Sequence, residues 1–508
     1  MHYKEPKNRN ELLLYPNIDL WVDQDNPVRL IDLVIEKFVK ENPTMCSWGG
    51  HSDQGCTSYS PATMLKLLLY CYFNWIPGSR RMENESYRNI EVIWLLGELK
   101  PDHWTICKFR RENKELIRSV AIEFRKFLMK SGYIGGKSIV FDGSKMKAYA
   151  GRDVYSEEKL KTRIKNIEQT LEKYLENVEE TDELEDRLEQ ESNDKDDLKK
   201  KIKKLEEEKE KLEELKNQLK ESGKRYISPT DTDANLMKCR DWKMPCYNVQ
   251  TGVDAKHHMI AMAEVTTDEC DINLLKPDLE NLTEQLGYTP KEIAADKGYG
   301  NINHIKDILE TTDTICYIPI QEPPTKKQDR ENGIKFIYNT DNDTFTCTNK
   351  KVLQIHSKDY KQEDQIYNIY KCHDCSGCPI RDKCTKSKTG RAIKINVNQK
   401  WIDNYKEWIE KKENKEKVKQ RKTIVEHPFG TIKMIMGKFC FLLRNKHKVQ
   451  IEIDLYSTIY NLKRLINIEN MEYLLQKVEK YNWKITKDLL TTILNLAQEL
   501  SLPKRLII

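Results

Sequence analysis

Apolar positions recur at helical spacing through the first quarter of the chain. In Pro27-Val-Arg-Leu-Ile-Asp-Leu-Val-Ile-Glu-Lys-Phe38 they mark one face, and Met64, Leu67, Leu68 and Cys71 mark another. Ser60-Pro61 supplies an N-cap followed by proline at the first helical position. A further helix opens after the Pro101-Asp102 turn, with Lys108, Arg110 and Arg111 clustered along it. Residues 1–130 therefore read as an all-helical N-terminal domain, and Arg110 and Arg111 as candidate contacts to a polyanion.

Near Ser138 the pattern changes to that of strands. Ser-Ile-Val-Phe-Asp142-Gly is a short apolar run ending in an acid and a glycine. Tyr247 to Val265 reads as a hairpin with its turn at Ala255-Lys-His. A helix is predicted from Ile272 to Leu286, a strand running into Asp296, a helix over 301–309 and a strand from Ile315. Helices resume after residue 400, with Trp401, Tyr405 and Trp408 on one face. Residues 131–154, 224–321 and 396–470 together predict an α/β core, a mixed sheet with helices against it, and 471–508 a helical tail.

Two insertions interrupt this core. Residues 155–223 are almost wholly Glu, Lys, Leu, Asp and Asn. Leu160, Ile164, Ile167, Leu171, Leu175 and Val178 form one seam, and Leu198, Ile202, Leu205, Leu212, Leu215 and Leu219 form a second. With Ser192-Asn-Asp as the turn, they predict a helical hairpin folded as an antiparallel coiled coil. Residues 322–395 are rich in cysteine.

Composition narrows the class. A chain of 508 residues is too long for one ordinary core. No run of about 18 apolar residues occurs, so no membrane span is expected. The polar N-terminus lacks a signal or transit pattern, and 14 mostly scattered cysteines favour reduced thiols, so the cytosol is the expected compartment. The net charge is only +5, but residues 401–470 hold 15 Lys and Arg against 9 Asp and Glu, a local +6. Glu426, in Arg421-Lys-Thr-Ile-Val-Glu-His-Pro-Phe-Gly-Thr-Ile-Lys433, is an acid inside that basic stretch.

A carboxylate in positive surroundings suits a metal ligand acting on a polyanion. Phosphodiester hydrolysis can use two divalent ions about 3.5–4 Å apart, held by carboxylates from separate elements. Asp142 and Asp296 are each followed by a glycine, Gly143 and Gly298, expected to let the chain turn and leave room for the ions. On a helix, Glu426 shares a face with Gly430 and Lys433, a candidate phosphate contact. Asp231, Asp233, Asp254 and Asp271 compete by position; Asp233 is the strongest alternate and is expected to order the approach to the next strand.

Between Cys372 and Cys384 four cysteines fall within 13 residues, and Cys347 lies upstream. The Cys375-x₂-Cys378 pair with neighbouring thiols is zinc-site spacing. The favoured structural Zn²⁺ set is Cys347, Cys375, Cys378 and Cys384; the alternative uses Cys372 in place of Cys347.

Several motifs then occur in one order: Asp142-Gly-Ser-Lys-Met-Lys-Ala, Thr230-Asp-Thr-Asp-Ala-Asn-Leu-Met-Lys, Tyr247-Asn-Val-Gln-Thr-Gly-Val-Asp, Ala295-Asp-Lys-Gly-Tyr and Val425-Glu-His-Pro-Phe-Gly-Thr-Ile-Lys, followed by Tyr460-Asn-Leu-Lys-Arg. In these the chain resembles the DDE-type bacterial insertion-sequence transposases, and residues 60–112 resemble the family's N-terminal domain. The resemblance implies an RNase H-like catalytic core, with Asp142, Asp296 and Glu426 as the ligands of Mg²⁺ or Mn²⁺. The family often has Tyr, Arg, Glu and Lys spaced around its glutamate. Here Glu426 and Lys433 fit, the arginine position falls on Lys422 beside Arg421, and the tyrosine position holds Lys419.

The expected function is a DNA transposase. It would bind the terminal inverted repeats of its element as a homodimer or higher assembly, cleave there, and join the ends to target DNA. Arg421, Lys422 and Lys433 would contact phosphates, and the protein would lie with the nucleoid. The alternative is a transposase-derived DNA-binding protein that is catalytically silent.

Overall fold

The computed structural model describes residues 17–46, 58–188, 193–239, 242–321, 324–362, 365–435 and 440–485. The expected turn at Ser192 and the tail beyond residue 485 lie outside them. None of the described helices is long and apolar enough to cross a membrane.

Side-chain caps start several of the N-terminal helices, among them the one expected at Ser60. Helix α1 (Pro27–Glu41) begins where Asn26 accepts the Val28 N–H, and α2 (Pro61–Phe73) where Ser60 accepts that of Thr63. Then follow α3 (Ser79–Arg88), α4 (Ile90–Leu96), α5 (His103–Glu112), capped by Asp102, and α6 (Lys114–Lys130). These helices share one hydrophobic core with the sheet that follows.

That sheet holds β1 (Ser138–Lys147), β2 (Asn235–Cys239), β3 (Trp242–Asp254), β4 (Ile260–Thr266), β5 (Glu292–Ala294) and β6 (Ile315–Tyr317). Its order is β2-β3-β1-β5-β6, with β4 also on β3. β1 and β3 are antiparallel, as are β3 and β4; β1, β5 and β6 run parallel. The hairpin between β3 and β4 turns at Ala255, as expected. β1 does not stop at Asp142. Its pairing with β5 ends at Val140↔Ala294, but its pairing with β3 continues to Lys147↔Cys246.

Helices α9 (Leu275–Leu286) and α10 (Ile302–Thr311) follow β4 and β5. Alternation along the strands sends Ile139 and Phe141 towards Leu282 of α9, close enough that a Cβ on Gly252 would meet all three within 3.1–3.3 Å. The opposite face, with Val140, Val253, Ala294 and Tyr317, is covered by Val425.

The helical insertion forms α7 (Glu157–Leu188) and α8 (Asn193–Ser222), packed side by side through Leu160, Ile164, Ile167, Leu212 and Leu219. Arg163–Glu208 and Lys209–Glu168 pairs cross between them, and backbone bonds join Tyr155 to Ile227 at the base. Leu175, expected in the seam, is half exposed.

The cysteine-rich insertion carries α11 (Pro324–Glu331), a short α12 (Arg381–Cys384) and an antiparallel sheet. The strands are β7 (Phe336–Asn339), β8 (Thr344–Cys347), β9 (Val352–Gln362), β10 (Gln365–Lys371) and β11 (Ala392–Asn396), ordered β11-β10-β9-β8-β7. Phe345, Leu353, Tyr370, Cys372 and Ile393 give it a small core of its own.

Helices α13 (Gln399–Glu410), α14 (Lys412–Ile435), α15 (Lys446–Ile468) and α16 (Met471–Lys480) complete the described chain. Asn461 of α15 binds both the N–H and the carbonyl of Ile260, and Tyr460 donates to the His258 carbonyl. Buried ion pairs from Arg118 and Arg125 to Asp454, and from Arg118 to Glu264, lock α6, α15 and β4 together. Losing either partner would leave a buried charge unpaired.

Candidate active site

Asp142 and Asp296 reach the same end of the sheet from neighbouring parallel strands. Each lies two residues beyond the Val140↔Ala294 pair. Asp296 has left its strand and caps a short 3₁₀ turn, Lys297–Tyr299, accepting the Gly298 N–H at 2.6 Å. Burial pushes the Asp142 carboxyl up, Arg421 pulls it down, and Asp296 and Asp271 push it up again, to about 6.

The glycines serve close packing. A Cβ on Gly143 would stand 2.5 Å from Gln250 Nε2 and 2.7 Å from Asp271 Oδ1. Gly143 therefore clears space for side chains from the other elements, within a strand and without a turn. A Cβ on Gly298 would lie 2.7 Å from Asp296 Oδ1.

Glu426 is not brought to the aspartates. It lies on α14, where Val425 faces the sheet and Glu426 turns aside, with its side chain 65% exposed and paired to Lys422 at 3.7 Å. One turn earlier, Arg421 Nη1 reaches Asp142 Oδ1 at 3.2 Å. Pro428 sits inside α14, where it has no N–H to give the Ile424 carbonyl. This is a site for local adjustment of the helix just beyond Glu426.

The donor set is oxygen and suits Mg²⁺ or Mn²⁺. Mutual repulsion among Asp142, Asp271 and Asp296 is what a cation would relieve, and Asn248 Oδ1 nearby is buried without a hydrogen-bond partner. Among the described residues, however, no three His, Cys, Asp or Glu side chains form a ready metal site.

The rival acids have structural partners. Asp231 accepts from Tyr247 at 2.7 Å and from the Asn445 N–H at 3.2 Å, and Asp233 accepts the Lys446 N–H where α15 begins. Asp254 binds the N–H groups of Gly135 and Gly136. Asp271 alone among these competitors lies beside the site. Its signal in the sequence was indirect: Asn248 and Gln250 are polar positions in a strand that proves to be buried at both.

Of the proposed DNA contacts, Lys422 is exposed. Lys433 stands over the Phe429 ring. Arg111 is exposed beside Glu112. Arg110 points inward instead: it is buried and donates to Tyr72 Oη and the Pro77 carbonyl, both at 3.0 Å. Helical spacing placed it in a basic cluster, but the inward acceptors on Tyr72 and Pro77 claim its guanidinium.

Cys347, Cys372, Cys375, Cys378 and Cys384 all line one cavity of about 20 Å³, room for roughly one water-sized body. Cys375 Sγ accepts the Arg391 N–H at 3.4 Å, and Cys378 Sγ accepts from Asn349 Nδ2 at 3.3 Å. Burial raises the Cys372 thiol to about 11. The five thiols are gathered but, as with the carboxylates, not closed into a ready metal site.

Residues 346–466 match the family model described as Transposase DDE domain, and residues 16–112 match that described as Transposase domain (DUF772). The first stretch contains Glu426 and the cysteines; Asp142 and Asp296 lie upstream of it. No curated protein and no solved structure matches the chain.

Proposed function

We propose, from two family matches that support a DDE-type insertion-sequence transposase, that the chain binds the terminal inverted repeats of its element, cleaves there and joins the freed ends to target DNA. The observation that carries this reading is that Asp142 and Asp296 each follow by two residues the last pair, Val140↔Ala294, of parallel β1 and β5. The strand order and senses, with β1 between antiparallel β3 and parallel β5, are those expected of an RNase H-like core.

Asp142, Asp296 and Glu426 would hold Mg²⁺ or Mn²⁺, and bound ions supply activation of the nucleophile and stabilisation of the leaving oxygen. Arg421 holds Asp142 in place until then and becomes a phosphate contact once released. Lys422, Lys433 and Arg111 position DNA through its backbone. Helices α7 and α8 form a coiled-coil arm for partner contact, and assembly on DNA is at least dimeric.

Cys347, Cys375, Cys378 and Cys384 would hold structural Zn²⁺, with Cys372 the alternative to Cys347. The shared cavity supports this. Purified protein should carry one zinc per chain by elemental analysis, and Cys375→Ser should lose it.

The test of function is strand cleavage on the element's ends with Mg²⁺. Activity that Asp142→Ala, Asp296→Ala or Glu426→Ala leaves intact would remove that residue from the site. The outward Glu426 favours a second reading, a silent DNA-binding protein. Binding without metal-dependent cleavage in the unaltered chain would establish it.

A further inference from the structure

Asp271 lies in the loop between β4 and α9, outside the three-residue carboxylate set, yet the sheet is built around it. Its Oδ1 accepts from Lys145 Nζ at 3.0 Å, Asn248 Nδ2 at 2.6 Å and Gln250 Nε2 at 2.9 Å. Lys145 also approaches Oδ2, at 3.2 Å. Three side chains from two strands thus converge on this one carboxylate.

Two further connections lead to the proposed metal ligands. Tyr299, at the end of the turn that Asp296 begins, donates to Gln250 Oε1, so Asp271, Gln250 and Tyr299 form one chain of bonds. The position of a Gly298 Cβ lies 2.7 Å from Asp296 Oδ1 and 3.9 Å from Asp271 Oδ2, so the two carboxylates flank the same glycine. On the other side, Gly143 follows Asp142 directly, and a Cβ there would strike Asp271 Oδ1. Asn248 Oδ1, buried and without a partner, stands 3.1 Å from that same point.

We propose that Asp271 is a positioning residue of the metal site: through Lys145, Asn248, Gln250 and Tyr299 it fixes β1 at Asp142 and the turn at Asp296 in ion-binding register. The proposal rests on the reading of Asp142 and Asp296 as metal ligands. Partners that orient ligands in this way alter metal affinity by about 10–100-fold when removed.

The test is Mn²⁺ binding by the full-length, DNA-free protein, followed by the electron paramagnetic signal of the free ion. Unaltered protein, Asp296→Asn and Asp271→Asn are compared. The unaltered protein should bind, Asp296→Asn should not, and Asp271→Asn should bind about tenfold or more weakly while melting as before in ion-free buffer. Absence of binding in the unaltered protein, or full binding by Asp296→Asn, overturns the ligand assignment beneath the proposal. Full binding by Asp271→Asn with Asp296→Asn impaired overturns the role of Asp271 alone. Should Asp271→Asn fail to fold, Gly143→Ala decides: its Cβ displaces Asp271 while keeping every carboxylate, and unchanged affinity there overturns the proposal.

Discussion

The sheet half and the helix half of the carboxylate site are built differently. Asp142 and Asp296 are fixed by strand register two residues past one backbone pair. Glu426 depends on the rotation of a helix, and that rotation leaves it in solvent beside Lys422. Register between paired strands tolerates no slip without exchanging faces. A helix with an internal proline, packed on the sheet through Val425, has more latitude. On the proposed reading, two carboxylates are assembled in advance and the third would have to join by movement of α14.

The largest expected effect would erase the difference between the halves. In strand cleavage, Asp142→Ala, Asp296→Ala and Glu426→Ala should each lower the rate by about a thousandfold, roughly 4 kcal/mol of barrier. Equal losses mean that all three act together once DNA is bound, whatever their arrangement before.

A smaller effect sharpens the difference. Arg421 Nη1 lies 3.2 Å from Asp142 Oδ1 and competes there with any cation. Arg421→Ala should therefore raise the DNA-free affinity for Mn²⁺ at pH 8 by roughly five- to tenfold, about 1 kcal/mol, consistent with a partly exposed ion pair. Unchanged affinity would separate Arg421 from the ion site. The same variant should weaken DNA binding and reduce its salt dependence.

The smallest effect concerns pH. The folded state holds the Asp142 proton up to about pH 6, against a reference of 3.8. Its contribution to stability is thus present below the reference value and is lost as pH rises through 6. Asp142→Asn should melt roughly 2–4 °C above the unaltered chain at pH 8 without metal, and the difference should vanish below pH 4. Calorimetry in ion-free buffer checks this.

The pattern of the chain revealed what local chemistry decides. The cap at Ser60 and the turn at Pro101-Asp102 start their helices where expected. Leu160, Ile164 and Leu219 meet across the helical insertion. Asp142 and Asp296 stood out because each ends an apolar run. What escaped the sequence was set by tertiary partners. The apolar run into Asp142 gave no sign that antiparallel pairing would carry β1 on to Lys147. Nothing local distinguished Arg110, which turns inward to Tyr72, from Arg111, which stays outside. Asp271 follows no motif, because Lys145, Asn248 and Gln250 come to it from two strands.

The central claim is that the two strand carboxylates bind an ion before the helix carboxylate arrives. Mn²⁺ titration of DNA-free Asp142→Asn, Asp296→Asn and Glu426→Gln tests it directly. The first two should lose binding, and Glu426→Gln should stay within about threefold of the unaltered chain, near 0.6 kcal/mol. Loss of binding in all three would contradict it, showing Glu426 already in place in the free protein.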